Sequence, residues 1–596
     1  MSAAANTDQI PSETRPVDTA PNPDGVAGMA FPPQFTAEFV EASRALEQEW
    51  RANFDAVSRK FGVNPGDYER HTDSGLPVKP AYFPHDVAGQ GYETLSAPGM
   101  FPFTRGLHPV QYQFMHWANQ PVIGYGLPEE TRKRMDYLQS QGMTGYFGNT
   151  FYNLVYDLVS HEGVDPDHPA AEGRVGQCGM AVYSREDDAR LFDGLQLDRI
   201  NVVHISYYEV LPVLAHYLAY ARRRGVPWGR LGGNSMSWYY QSAYVGMTCF
   251  PPKAGMNLAV ELVNFCTREM PRWNTVNIFG YGMEESGATA VEELAFSVAT
   301  GIDYARACVA SGLHPDQFLS RFGFQISQSN DFFEEICKIR ALRRLWARKC
   351  QALGARDPKS MHVRIHTHTS GAMLTAQQPI NNLIRTTLHA FGAALAGVQA
   401  MEVSTFDEAL AIPTEHAHTL ALRVQQIIQE ESGITRVSDP LGGSYYVESL
   451  TNQLEAAAER IIEEVEARGG YHQCHDFVRT RIEASAARWR DLADAKERIL
   501  VGMNKYQAAE TQAIDIFKVN PDSERIAVER IRALRARRDT GRWGKAMSVL
   551  DDAARRFTAG EIGVLMPAMI EASDADATTG ELMGVLKLHL GWAPPY

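Results

Sequence analysis

Between about Gly99 and Val447 the chain alternates short β-rich runs with longer helical stretches, and this alternation restricts the possible folds more than any other feature. The runs Phe151–Leu158, Ile200–Ser206, Val276–Phe279, Phe322–Ile326, Val363–His366 and Val398–Val403 are mostly apolar over their whole length. Strands buried on both faces read this way, and parallel neighbours need a crossover helix between them. The intervening stretches, Ala290–Ala310 and Phe332–Leu353 among them, have the length of such helices. A parallel sheet covered by helices follows. With this many units the expected fold is α/β, a (β/α)8 TIM barrel with an N-terminal arm and a C-terminal helical region, whose chemistry sits where the strands end.

The expected organisation has four parts. Residues 1–33, rich in Ala, Pro, Asp, Asn and Thr, read as a disordered tail. Residues 34–98 read as an arm and possible subunit contact, because Phe35, Phe39, Leu46, Trp50, Phe54 and Phe61 recur at helical spacing. The barrel with its site takes 99–448, and 449–596 is helical, with Leu454, Ala458, Ile461, Ile462 and Val465 as one apolar stripe. The Arg-rich stretch Arg525–Arg542 reads as a solvated helix face.

A chain of 596 residues exceeds one ordinary core. Its balance of 57 basic against 71 acidic side chains, net −14, argues against nucleic acid or an anionic membrane as partner. Seven dispersed cysteines without a C-x-x-C pair imply a reducing compartment and neither a disulfide framework nor a zinc site. No run approaches the roughly 20 apolar residues of a membrane span, and no basic-then-apolar leader is seen, so the expected location is cytoplasmic.

Polar motifs fall where strands should end: His366-Thr-His368-Thr, Leu374-Thr-Ala-Gln-Gln-Pro-Ile-Asn-Asn382, Phe406-Asp-Glu-Ala-Leu410 and Asp439-Pro-Leu-Gly-Gly-Ser-Tyr-Tyr446. His366 and His368 share one strand face, as in metal-dependent hydrolase barrels, but such a site needs further His and Asp at later strand ends, so no metal is expected. Glu284 and Glu285 read either as an acid/base pair or as a helix-end contact beside a solvated carboxylate. Together with Ala288–Phe296, Asn330–Glu335 and Asn504-Lys-Tyr-Gln507, in this order, the motifs resemble the large catalytic subunit of the adenosylcobalamin-dependent acyl-CoA mutases. That family includes methylmalonyl-CoA, isobutyryl-CoA and 2-hydroxyisobutyryl-CoA mutases. The resemblance runs from about Gly99 to Gln507 and more loosely beyond.

The resemblance implies adenosylcobalamin as cofactor, with Tyr281, Glu408 and His368 as the catalytic set. It puts Glu408 on the ribose of the adenosyl group and Tyr281 beside that group, with His366, Gln377 and Ser404 also on the cofactor. Ser404 replaces the family's asparagine and His368 a glutamine. Asp157, Leu158 and His161 match the segment that faces the corrin. On the substrate side Asn274 and Arg321 keep the family's identities, Arg321 serving the coenzyme A thread, and Ser235 belongs to the same wall. The rest departs from the family: Gly282 replaces the histidine that bonds the thioester carbonyl, and Val245 replaces the arginine that pairs a substrate carboxylate. Met115, Ala118, Gln120, Val122, Val203 and Ile205 replace polar or charged positions. Each lost buried donor costs about 1–3 kcal/mol of binding, so a changed ligand is expected.

The implied function is therefore the large subunit of a radical carbon-skeleton mutase, an isomerase, acting on an acyl thioester other than methylmalonyl-CoA. Two alternatives stay open, a mutase-fold enzyme for a substrate without coenzyme A and a catalytically silent paralogue used as a binding or regulatory subunit. The corrin-binding D-x-H-x-x-G motif is absent from the sequence. The expected partner is a separate cobalamin-binding small subunit in a hetero-oligomer, with a metallochaperone GTPase added by analogy.

Overall fold

The computed structural model describes residues 34–67, 69–145, 150–236, 249–509 and 513–593. The tail expected over 1–33 and the candidate residue Val245 lie outside the described residues. The described residues contain ten short strands: β1 Ala118–Asn119, β2 Val122–Ile123, β3 Thr150–Val155, β4 Ile200–Ile205, β5 Gly232–Ser235, β6 Trp273–Asn274, β7 Val276–Phe279, β8 Phe322–Gln328, β9 Arg364–Thr369 and β10 Ala400–Glu402. They form two five-stranded sheets in the orders β1-β10-β9-β8-β7 and β2-β3-β4-β5-β6, with every pairing parallel.

Two short breaks join the sheets. Between β1 and β2, Gln120 donates its N–H to Met401 O on one side (2.9 Å) and accepts from Asn153 Nδ2 on the other (3.2 Å). Pro121, next in the chain, has no N–H to offer either neighbour. Between β6 and β7 only Thr275 intervenes, its N–H bonded to Arg321 O (3.1 Å). Counting each broken pair as one strand, the parallel order is a ring of eight.

The expected strand Phe151–Leu158 is shorter, because Asp157 caps a new helix, Leu158–His161, by accepting from Ser160 N (2.8 Å). Two strands of the ring have no counterpart among the apolar runs. The β1–β2 strand is broken by proline, and β5 reads Gly-Gly-Asn-Ser, a composition poor in strand formers. Gly233 is required there: a Cβ would lie 2.3 Å from Val202 O and 2.4 Å from the Trp273 ring. Gly233→Ala is expected to destabilise the chain by about 1–3 kcal/mol, measured by urea unfolding, and an unchanged midpoint would mean that the Trp273 ring can shift.

Residues alternate between the two faces of the ring. Val202, Ile278, Phe324, Ile326, Ile365 and Met401 belong to the main core with the outer helices, Phe324 meeting Trp346 edge-on at 4.8 Å. Val203, Ile205, Met236 and Phe279 form a separate inner cluster with Val122, Phe151, Val155, Tyr207 and Tyr281. The β2–β5 side of the ring interior therefore carries these apolar side chains, with Asn153 and Asn234 among them.

Outside it, the helix Ala37–Lys60 is tied down by Trp50 against Phe83 (5.8 Å, edge-on). The Arg-rich stretch differs in part from a solvated face. Arg525, Arg532 and Arg537 are exposed, but Arg530 pairs with Glu129 (2.8 Å), Arg535 with Asp165 and Asp167 (2.5 and 2.7 Å), and Arg538 with Glu581 (2.7 Å). Their partners lie up to 401 residues away in sequence, so local pattern could not show them. Among the described residues no helix is long and apolar enough to cross a membrane.

Candidate functional site

The register of the β7–β10 half sets the inner polar wall. Phe279, Gln325, His366, Ala400 and Ala118 stand at one level, and His368 pairs with Glu402 one level further toward the strand ends. Both histidines are nine-tenths buried or more, both nitrogens of His366 and Nδ1 of His368 have no partner, and burial pulls the two imidazoles down to about 4 and about 3. They are neutral at pH 7. Asn153 Oδ1, Asn234 Oδ1, Asn277 Oδ1, Gln325 Oε1 and Glu402 Oε2 are also buried without a partner. Buried polar atoms are nearly always satisfied, so a row of them along one lumen points to a ligand or ordered water there.

At the strand ends the helix Gly280–Glu285 brings Tyr281 onto His368, ring on ring at 4.2 Å and 14°. Burial, then Glu285 and Glu408, raise the Tyr281 hydroxyl well above its usual range. Glu285 accepts from Gly371 N (2.6 Å) and Ala372 N (3.1 Å), and Glu284 accepts from Ser370 Oγ (2.9 Å). Glu408, partly buried, is pushed up to about 8 by burial and then by the Glu285 charge. A Cβ on Gly371 would lie 2.7 Å from Glu408 Oε1 and 3.2 Å from Glu285 Oε2, so the glycine keeps a narrow floor between the two carboxyls. Tyr281, His366, His368 and Glu408 thus converge on one end of the ring.

Other candidates fall elsewhere. Ser404, by contrast, stays at the site: its hydroxyl contacts the Glu408 carboxyl and also bonds Thr369 O (2.7 Å), joining the ends of β9 and β10. Gln377 is exposed. Asp157 is saturated by Ser160 N, Ser160 Oγ, Gly176 N and Tyr183 OH (2.6–2.8 Å), a structural cap followed by the partly buried Leu158. His161 donates Nδ1–H to Glu209 (2.8 Å) and packs edge-on against Tyr207 (4.3 Å). Gln120 and Val122 line the lumen next to Glu402, whereas Ser235 points outward and accepts from Trp273 Nε1 (3.0 Å). Gly282 is buried under Phe279: a Cβ there would lie 2.0 Å from Phe279 Cε1, so a side chain at 282 needs that ring to move.

Asn274 and Arg321 sit at the opposite mouth, before β7 and β8 begin. Asn274 accepts from Arg364 (3.0 Å), and burial together with Arg364 and Arg272 holds the Arg321 guanidinium below its usual value. The seven residues of β8 span about 20 Å, so a ligand touching both sets must be elongated. Among the described residues no group of three or more His, Cys, Asp or Glu is arranged to hold a metal ion.

A family model described as methylmalonyl-CoA mutase matches residues 71–592. The chain belongs to this family. Relatives include the methylmalonyl-CoA mutase of Rhizobium meliloti, 37% identical over 548 residues, covering 91% of this chain and 75% of that protein. The methylmalonyl-CoA mutase large subunit of Streptomyces virginiae is 37% identical over 550 residues, covering 91% and 74%. The human mitochondrial methylmalonyl-CoA mutase is 35% identical over 551 residues, covering 92% and 72%. As a member of the methylmalonyl-CoA mutase family the chain is an isomerase. Glu402 and Gly371 have no place among the sequence candidates. Glu402 lies inside the expected strand Val398–Val403, but the run does not say which face it takes, and the pairing with His368 puts it inside.

Proposed function

We propose that the chain is the large subunit of an adenosylcobalamin-dependent carbon-skeleton mutase for an acyl-CoA without a free carboxylate. The observation that carries this reading is the set of buried polar atoms without partners on the inner face of the ring, between Arg321 and Arg364 at one end and the Tyr281–His368 stack at the other. The mouth suits the phosphates of coenzyme A, the length suits its pantetheine arm, and this favours a coenzyme A ester over a free small molecule.

The cofactor fits the residues present. Glu408 and the gap kept by Gly371 offer two carboxyl oxygens to a vicinal diol, and the unpaired nitrogens of His366 and His368 offer neutral partners to a purine or a ribose. Bound there, adenosylcobalamin supplies the radical chemistry of the rearrangement. Tyr281, stacked on His368, closes the apolar wall of Val203, Ile205, Met236 and Phe279 against the reacting end of the acyl group and keeps water from it. No cationic side chain of the described residues lies in this inner wall, so a carboxylate there would be desolvated without a counter-charge. That disfavours methylmalonyl-CoA. The corrin is assigned to a separate small subunit, in keeping with the Streptomyces virginiae relative, whose name is that of a large subunit.

The test is a visible spectrum of the chain with its small subunit and adenosylcobalamin, before and after branched acyl-CoAs. Growth of the cob(II)alamin band on adding an acyl-CoA without a free carboxylate supports the proposal. A response only to methylmalonyl-CoA removes its substrate half, and absence of cofactor binding removes the whole.

A further inference from the structure

We propose that the exposed face of the helix Asn381–Ala396, with the loop 499–506 beside it, is the contact through which two copies of this chain associate. The inference is independent of the reading of the ring as an acyl-CoA site.

The face follows from the spacing of its residues. Ile380, Ile384 and Leu388 recur at every fourth position, which stacks them on one ridge of the helix. They are 41%, 63% and 56% exposed, where a helix on the outside of a ring ordinarily turns charged residues to water. Arg385 is the one Lys, Arg, Asp or Glu among the 16 residues of this helix. It is engaged within its own chain, donating to Asn382 Oδ1 (2.7 Å), Thr375 Oγ1 (3.2 Å) and Val501 O (2.5 Å).

The bond to Val501 O, and that from Gln378 Nε2 to Tyr506 O (3.1 Å), hold the loop against the helix. Asn504 shapes the loop by accepting from Leu500 N (2.8 Å) and donating to Ala493 O (2.9 Å) and Arg498 O (2.8 Å), and Gly502 turns it at φ +86°. Folded in this way, the loop adds Ile499, Val501, Met503 and Tyr506 to the face, each 40–70% exposed.

The size and the chemistry of the face select its occupant. These seven side chains present on the order of 700 Å² of mainly apolar surface, above the roughly 300–600 Å² of the largest patch on an ordinary monomer and near the roughly 800 Å² that each partner gives to a stable interface. Depletion of charge marks the core of a permanent contact rather than a transient one. The ridge is self-complementary. With a two-fold axis at Ile384, Ile380 of each copy meets Leu388 of the other, and the engaged Arg385 brings no unpaired cation to the axis. A small subunit seated over the strand ends would reach Ile380, at the start of the helix, but Leu388 lies about 12 Å further along the flank of the ring.

Sedimentation velocity of the full chain at micromolar concentration, without the small subunit, tests this. The parent is expected to sediment as a dimer. Ile384→Asp combined with Leu388→Asp is expected to raise the dissociation constant about 100-fold or more and leave a monomer. Val549→Asp, at a similarly exposed position (51%) on the helix Thr540–Thr558, is expected to leave the dimer intact. Melting curves establish that the variants are folded. Should the double variant not fold, Ile384→Cys decides: at the axis it oxidises to a covalent dimer, which the parent, whose one exposed thiol is Cys178, does not form. A monomeric parent, a dimer that survives both aspartates, or a dimer lost equally in Val549→Asp overturns the proposal. A monomeric parent that binds the small subunit, with binding lost in the double variant, overturns it too and assigns the face to that subunit.

Discussion

Exchange of Glu408 for alanine is expected to weaken adenosylcobalamin binding about 10- to 100-fold, the loss of a bidentate charge-assisted contact worth about 1.5–3 kcal/mol. The parent carries a further signature. Its carboxyl, pushed up to about 8 by burial and by Glu285, is mostly protonated at pH 7, whereas two hydroxyls of a diol donate best to the carboxylate. If the bound form is ionised, binding releases a proton, and affinity rises several-fold as pH goes from about 7 to about 8.5 before levelling above the pKa. Glu408→Gln should bind weakly with no such rise. Gly371→Ala tests the same floor without removing the acid, since its Cβ would lie 2.7 Å from Glu408 Oε1 and push the carboxyl out of place. Spectrophotometric titration of the two-subunit complex across this pH range gives all three results. Equal affinity of parent and Glu408→Ala would remove Glu408 from the cofactor site.

The alternation of apolar runs and helices was enough to predict a parallel α/β ring, because strands such as Phe322–Gln328 are buried on both faces. The strands that escaped it are those whose residues answer to a neighbour. Gly232–Ser235 is built around the Trp273 ring, and Ala118–Ile123 is interrupted at Pro121. The site divides in the same way. His366, His368 and Glu408 sit in polar motifs at strand ends, which composition marks as segments, while the resemblance to the mutase family singles out Glu408 and His368 within them. Glu402 depends on register against His368, and Ser235 reads as a wall residue until parity turns it outward. Arg535 looks solvated until Asp165 and Asp167, far away in sequence, are folded beneath it. Pairings of this range leave no local signal.

Beneath the site a buried triad governs stability, and Lys338→Met is expected to cost about 3–5 kcal/mol at pH 7.5, the penalty of leaving buried carboxylates unpaired. Lys338 is fully buried and reaches Glu293 (2.5 Å), Glu335 (2.6 Å) and Ser327 O (3.0 Å), so one ammonium pins the helices Ala290–Ala310 and Phe332–Ala352 to β8. Burial pulls its pKa down, but the two carboxylates outweigh burial and hold it above the ordinary value. Even with the lysine present, burial lifts Glu335 to about 7, and without it Glu335 must lie higher still. A carboxyl raised in the folded state stabilises below its unfolded pKa and loses that contribution as pH rises through the folded one. The variant should therefore approach the parent as pH falls from about 7.5 toward about 5.5, where the unpaired Glu335 is neutral. The buried histidines, held near 3 to 4, oppose folding at acid pH equally in both proteins and cancel in the difference. Adding Glu293→Gln and Glu335→Gln to Lys338→Met should recover most of the loss at pH 7.5, because the cost lies in the uncompensated charge rather than in a missing attraction. Urea unfolding of the three proteins at both pH values measures this. A deficit that stays constant with pH and persists in the triple variant would mean that Lys338 acts through packing of its stem.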